Sequence, residues 1–330
     1  GSPGAPRGQA EDKKGKKGTT NEPEYHVLEV LSTTVSNRCG GLPEDKTRAD
    51  VNEMAPPLRE VLQAYRSAAD KSEQGEGHSC LQQKKSLRLY NNRLVECSLQ
   101  RKDEEGAHSR QPAEVRQLED NFDRLLEIAQ EAQNMLMISV MADGADIRKD
   151  TVSKRWPDGY RYVSLNPVFR ASFGYNPGPK GRDAATSKAN VLYGPTEGKL
   201  CYRHLLDLAR ISLVYANGAA LRAGLDAIVE KFEVVEVRNY YQHGMKNLLG
   251  ERYIEVLVVL KEGISWPMVC EIRLEEECFF LARFETAPAL QKVLSTCDEI
   301  YARRCVHLGS ASYLARWALQ RERQPQSLTV

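Results

Sequence analysis

No stretch of the 330 residues approaches the roughly 20 consecutive apolar residues that a membrane-spanning helix needs, which argues against a membrane protein built from helices. Neither sign of charge dominates. The 46 basic against 45 acidic residues leave a net charge of +1, whereas a dedicated DNA- or RNA-binding domain carries a basic stripe. The eight cysteines, Cys39, Cys80, Cys97, Cys201, Cys270, Cys278, Cys297 and Cys305, form no C-x-x-C pair. Several fall inside apolar periodic segments, as expected of reduced thiols in an intracellular protein. Cys201 and His204 offer two zinc ligands where a structural site needs four. The G-x-x-x-x-G-K-[ST] phosphate loop, the G-x-S-x-G elbow and the dinucleotide G-x-G-x-x-G are all missing.

The start, Gly1-Ser-Pro-Gly-Ala-Pro-Arg-Gly-Gln9, lacks an initiator Met and an apolar signal core. It reads as a fragment end or processed end rather than a targeting peptide, so a soluble interior compartment is expected, the cytoplasm by default. Residues 1–23 are rich in Gly, Pro and Lys and cannot bury enough apolar surface to offset ordering entropy, which predicts a disordered tail. Residues 24–145 are expected to form a helical N-terminal region. Pro57 followed by Leu58, Val61, Leu62 and Tyr65 marks a helix with proline in its first turn. Leu81, Leu87, Leu89, Leu94 and Leu99 suggest another with a basic exposed side. A third opens near Pro112 and carries Val115, Leu118, Phe122, Leu125, Leu126, Ile128, Ala129, Ala132 and Met135 at helical spacing. Its Met135, Met137 and Met141 suit either core filling or a helix-mediated protein contact.

Beyond Gly144 the chain becomes turn-rich and aromatic, a long irregular connection before a second half that alternates element types. Strand-like runs are read at 207–216, 233–239, 253–260 and 267–274, with a helix at 218–232 and helices at about 277–304 and 310–321. The order gives an α+β fold: a mixed sheet of about four to five strands flanked by helices, occupying residues 150–305, with a C-terminal helix and tail over 306–330. Side chains alternate along a strand. Met268, Cys270, Ile272 and Leu274 therefore share one face and Val269, Glu271 and Arg273 the other. Ile254, Val256, Val258 and Leu260 make the matching apolar face of the strand before, with Tyr253 and Glu255 opening its opposite side. Two neighbouring strands thus bring Tyr253, Glu255, Glu271 and Arg273 to one polar patch. Mg²⁺ is held by carboxylate oxygens from one or two residues, with waters and substrate phosphates completing its shell. Asp207 and Glu271, at the ends of separate strands, are the candidate ligands. A surface charge or an ion pair with a nearby arginine is the simpler reading of either one alone.

Four segments carry a resemblance. Asp207-Leu-Ala-Arg-Ile-Ser212 resembles the D-L-A-G-I-R strand of the RelA/SpoT-type (p)ppGpp synthetase domain, and Arg238-Asn239-Tyr240 is similar to its K-D-Y element. Lys246-Asn247 followed by Gly250 and Tyr253 looks like P-K-x-N-G-Y-R-S-x-H, and Val269-Cys-Glu271-Ile-Arg-Leu274 resembles V-E-I-Q-I-R. Order and spacing agree over about Lys180 to Tyr301. The resemblance implies a nucleotidyltransferase-like fold and transfer of pyrophosphate from ATP to the 3′-hydroxyl of GDP or GTP. It further implies Asp207 and Glu271 on Mg²⁺, with Glu271 also orienting or deprotonating the attacking hydroxyl, and Tyr253 stacking on guanine. Lys180, Arg182, Lys188, Arg238 and Lys246 would bind the nucleotides. This sequence departs from the pattern at Arg210, which stands where the family has glycine, Ser212 for its arginine, Ile254 for the arginine after Tyr, and Val256 or Leu257 for its histidine. Arg210 could supply a guanidinium from a shifted position. The alternative is a catalytically degenerate domain that binds nucleotide or serves as an interaction module, with a homo-oligomer or a helix-docked protein as partner.

Overall fold

The computed structural model describes residues 27, 44–90, 93–97, 115–142, 162–193, 198–242 and 249–302. The expectations for residues 1–23 and 310–321, and for Lys246, lie outside them. The fold is α+β, with one mixed sheet of eight strands flanked by helices. Two helices come first, α1 (Glu44–Gln74) and α2 (His78–Gln83), followed by strands β1 (Ser86–Tyr90) and β2 (Arg93–Cys97) and helix α3 (Phe122–Val140). Short strands β3 (Tyr162–Val163) and β4 (Phe173–Tyr175) precede helix α4 (Arg182–Leu192), β5 (Arg210–Tyr215), α5 (Gly218–Lys231), β6 (Glu233–Asn239), β7 (Ile254–Leu260) and β8 (Met268–Glu276). Helices α6 (Glu277–Glu285) and α7 (Ala287–Ala302) complete the described chain.

The spatial order is β2-β1-β6-β7-β8-β5-β4-β3. Only β5 and β8 run parallel, and every other pairing is antiparallel. The sheet is wider than the expected four to five strands because both ends gain strands. At one end the segment read as a basic helix through Leu87, Leu89 and Leu94 is the β1–β2 hairpin, and Leu87 pairs with Val237 on β6. Alternating leucines fit a strand as well as a helix when the run is this short, and the open edge of β6 decides between them. At the other end β3 and β4 are two and three residues long, too short to show periodicity.

Two helix starts also shift. Asn121 caps α3, its Oδ1 accepting from the Arg124 N–H at 3.1 Å, so that helix begins well after Pro112, and α1 carries Pro56 and Pro57 inside it. Met137 and Met141 are buried in the core.

The alternation expected for β7 and β8 sets the layering. Ile254, Val256, Val258, Met268, Cys270, Ile272 and Leu274 are all buried, and so is Tyr215 on β5. Gly224 of α5 packs on Tyr215 so closely that a Cβ at 224 would lie 2.3 Å from its hydroxyl, which brings the helix down onto the sheet. On the opposite face, cross-strand registers line up Arg88 with Glu236, Arg238 with Glu255, Glu255 with Arg273, Leu257 with Glu271, and Arg210 with Glu271. The polar patch read from two strands therefore runs over five. Phe280 of α6 packs on Val214 together with Phe173, Tyr175 and Phe284, covering that face toward the end of β5. The start of β5 and β8 is where the remaining charges gather. No helix among the described residues is long and apolar enough to cross a membrane.

Candidate functional site

Asp207 lies in the turn before β5, so β5 begins three residues later than the strand read from the sequence. Its buried carboxylate accepts from the Lys180 Nζ at 2.7 Å and the Lys188 Nζ at 2.9 Å, both on Oδ2. Lys180 stands in the loop before α4, held by its own N–H donating to the Leu208 carbonyl at 2.8 Å. Lys188 projects from α4, whose Ala185 and Ala189 are buried against the core. Asp207 Oδ1 is buried and has no hydrogen-bond partner among the described residues. Burial alone would raise this carboxyl, but Lys188 and Lys180 beside it overcome that and hold it well below the ordinary carboxylate range.

Glu271 sits on β8 opposite Arg210, and its N–H donates to the Ala209 carbonyl at 3.0 Å. Among the described residues its carboxylate has no hydrogen bond or ion pair, yet it feels several charges. Burial first, then Glu255 and Asp207, push it up to about 7, while Lys188 and Arg210 pull the other way. Lys180 is lowered by burial, with Lys188 and Arg210 adding to that and Asp207 opposing it. Arg210 Nε is buried without a hydrogen-bond partner. Three cations thus crowd around Asp207 and a carboxyl that is only half ionised near neutrality. Three cations gathered beside one buried carboxylate are what an anion neutralises on binding.

The other sequence candidates fall elsewhere. Arg238 lies on β6, two strands from β8 along the same face, with Nη2 donating to Glu236 at 2.7 Å and Nη1 to Glu255 at 2.9 Å. Glu255 in turn acts on Glu271, so Arg238 touches the cluster through one intermediate. Tyr253 is 8% exposed. The Arg273 guanidinium lies 3.8 Å from its ring centroid, and the Tyr240 ring centroid is 4.4 Å away. Arg182 pairs with Asp123 at 2.6 Å on the exposed surface, its guanidinium 5.4 Å from the Phe122 centroid.

Two side chains with no chemical signature in the sequence matter to this geometry. The Gln133 carboxamide donates to the Arg210 carbonyl and to Asn176 Oδ1 at 2.9 Å each, and accepts the Arg210 N–H at 2.8 Å. Gln117 donates to the Leu205 and Val269 carbonyls and accepts the Val269 N–H, all at 2.9 Å. Nothing in the spacing around either residue distinguishes it from a surface glutamine.

A cage of three or more His, Cys, Asp or Glu side chains is absent among the described residues. A magnesium ion that shares its shell with phosphate and water needs no such cage. The unpartnered Asp207 Oδ1 and the mutual repulsion of Asp207 and Glu271 are features that a shared cation would relieve.

No protein-family model matches this chain, and no curated protein matches its sequence. Solved structures similar to it include a GTP pyrophosphokinase family protein from Streptococcus pneumoniae, 17% identical, covering 59% of this chain and 87% of that one at a TM-score of 0.36. The small alarmone synthetase 1 from Bacillus subtilis is 16% identical, covering 61% of this chain and 93% of that one at a TM-score of 0.37. The same synthetase bound to its product pppGpp is 15% identical, covering 61% and 94% at 0.36. Similarity at this level carries no inference about residues or activity.

Proposed function

We propose that this protein is a divergent RelA/SpoT-type nucleotide pyrophosphotransferase, moving pyrophosphate from ATP to the 3′-hydroxyl of GDP or GTP. The observation that carries the reading is the coincidence, at one end of the sheet's polar face, of a cation-rich cluster and a carboxyl raised to about 7. Two of the four sequence segments that resemble the synthetase family supply Asp207 and Glu271 of that same cluster.

The chemistry needs a polyphosphate held in place and a hydroxyl made nucleophilic. Lys180, Lys188 and Arg210 are the groups that hold the ATP phosphates. As the triphosphate enters, the two ammonium groups exchange Asp207 Oδ2 for phosphate oxygens, which are more numerous and together carry more negative charge. Glu271 takes the proton of the acceptor 3′-hydroxyl. A base with a pKa near the working pH is suited to that transfer. The hydroxyl oxygen then bonds to the β-phosphorus of ATP as the bond from that phosphorus to the bridging oxygen of the α-phosphate breaks, and AMP leaves. Asp207 and Glu271 are the residues that would hold Mg²⁺, which when bound neutralises phosphate charge. Arg210 offers a guanidinium that acts on Glu271, in place of the family arginine that Ser212 replaces. Positioning and charge neutralisation account for most of the rate in such transfers.

Incubation with ATP labelled in its β and γ phosphates, GDP or GTP, and Mg²⁺ tests the reading. Label should appear on the guanine nucleotide with one AMP formed per transfer, and Glu271→Gln should lower both by about 10²–10⁴-fold. ATP binding without label transfer would point instead to the degenerate nucleotide-binding module. An Asp207→Asn variant sharpens the outcome. By releasing both lysines it should bind ATP at least as tightly as wild type in the absence of metal, while transferring no label.

A further inference from the structure

Gln117 and Gln133 are each buried, and each uses its carboxamide in the same unusual way. A carboxamide that donates to and accepts from one residue's backbone reproduces the two-bond exchange of a hydrogen-bonded pair in an antiparallel ladder. Gln117 does this with Val269 and Gln133 with Arg210. Both contacts fall at the strand starts. The β5–β8 ladder begins at Arg210 and Glu271, so Val269 has no β5 residue opposite it, and Gln117 takes that place.

The second donor of each amide reaches a different segment. Gln117 reaches the Leu205 carbonyl, two residues before Asp207, while Val269 lies two residues before Glu271. One carboxamide therefore ties the backbone that carries the first carboxylate to the backbone that carries the second. Main-chain bonds brace it: the Gln117 N–H donates to the Arg203 carbonyl at 2.8 Å, and Arg203 Nε donates to the Gln117 carbonyl at 2.9 Å. Gln133 reaches Asn176 Oδ1, which also accepts the Gly178 N–H at 2.8 Å and so turns the chain toward Lys180. That carboxamide ties Arg210 to the lysine loop.

We infer that Gln117 and Gln133 are positioning residues with separate tasks, Gln117 setting the spacing of Asp207 and Glu271, and Gln133 setting the spacing of Arg210 and Lys180. The inference rests on the proposed transfer reaction for its kinetic consequences, and on the hydrogen bonds alone for its structural one. A displacement of about 1 Å at reacting groups costs on the order of 10²-fold in rate. Gln117→Met keeps the length of the side chain and removes every contact of the carboxamide. It should lower kcat about 10²-fold with the KM for ATP nearly unchanged. Gln133→Met should do the reverse, raising the KM for ATP with a smaller change in kcat, because the phosphate-holding cations lose their spacing.

A second readout needs no turnover. In crystal structures of the variants, the Asp207 and Glu271 carboxylates should stand about 1 Å further apart in Gln117→Met than in wild type, with the Arg210 and Lys180 spacing kept, and Gln133→Met should show the reverse. If wild type transfers no label, the functional reading fails, and these spacings still decide the inference. Equal losses of stability in both variants with both spacings unmoved would overturn it, showing the amides to be structural only. Should Gln117→Met fail to fold, Gln117→Asn, which keeps the carboxamide one methylene short, is read by the same spacing. Failure of both to fold counts against a positioning role.

Discussion

The polar face of the sheet holds two charge clusters built from the same kinds of residue, and they differ in their balance. Under α1 and α6, Arg273 donates to Glu251 and lies 3.4 Å from Glu275, and Arg283 donates to the other oxygen of Glu275. Two guanidinium groups meet two carboxylates, and Tyr65 of α1 lies within electrostatic reach of all four. At the start of β5 and β8, Lys180, Lys188 and Arg210 surround Asp207 and Glu271, leaving Asp207 Oδ1 and Arg210 Nε without partners. The first cluster balances its charges within the protein, although Arg273 Nε, Glu275 Oε2 and Arg283 Nε also lack hydrogen-bond partners among the described residues. The second holds surplus cations and a carboxyl pushed toward neutrality, the state of a site awaiting an anion. Perturbed titratable groups gather both at functional sites and in structural ion-pair networks, and here the balance of charge separates the two within one face of one sheet.

The comparison breaks most readily at the two glutamates. Glu271→Gln should lower label transfer by about 10²–10⁴-fold, whereas Glu275→Gln, measured well below its unfolding transition, should leave the rate close to wild type. An equal loss in both would remove the distinction between the clusters. Stability should respond in the opposite sense. Glu275→Gln leaves guanidinium groups short of a buried counter-charge and should cost about 3 kcal/mol in denaturant unfolding.

Lys188→Met comes next. Losing one charged donor should weaken ATP binding roughly tenfold, measured by calorimetry, and should flatten the dependence of ATP affinity on salt. No change in either would mean that phosphates do not meet this lysine.

Smaller still is the effect of Glu271 on folding. Its folded-state pKa of about 7 stands above the ordinary 4.5. A raised carboxyl favours the fold while protonated, so its contribution is full below the ordinary range and is lost as pH rises through 7. Glu271→Gln should therefore stabilise the protein at pH 8 by on the order of 1–2 kcal/mol, allowing for partial exposure, and change nothing at pH 4. Stabilisation at both pH values would sink the electrostatic account.

The smallest effect is expected at Glu255. Glu255→Gln removes a charge that raises Glu271, so the acid limb of the transfer rate should move to lower pH by less than about one unit.

Much of this was legible in the chain itself. Alternation in β7 and β8 places Glu255, Glu271 and Arg273 on one face because side chains along a strand must point alternately, whatever the strand pairs with. Asp207 stands out by its place before an apolar strand. The hairpin at Ser86–Cys97 was not legible, because alternating leucines interrupted by basic residues satisfy a helical face over so few residues, and only the open edge of β6 chooses. Tyr253 illustrates a different limit: a tyrosine that opens a strand can face a ligand or the protein, and here Arg273 and Tyr240 already lie against it. Gln117 and Gln133 illustrate a third. Their importance comes from the backbone groups they reach, which lie far away along the chain.

Local chemistry alone determined which residues could be strands, which faces were apolar and which carboxylates flanked or interrupted apolar runs, since these depend on near neighbours in the chain; Asp207 lies in the turn before β5 and Glu271 inside β8 rather than at strand ends. Tertiary structure decided how wide the sheet became, that two lysines would share one oxygen of Asp207, and that Glu271 would be raised while Glu275 was paired. Charge interactions and burial depend on distances between segments that the order of residues does not specify. The same glutamate is a base, a salt-bridge partner or a surface charge according to what the fold brings beside it.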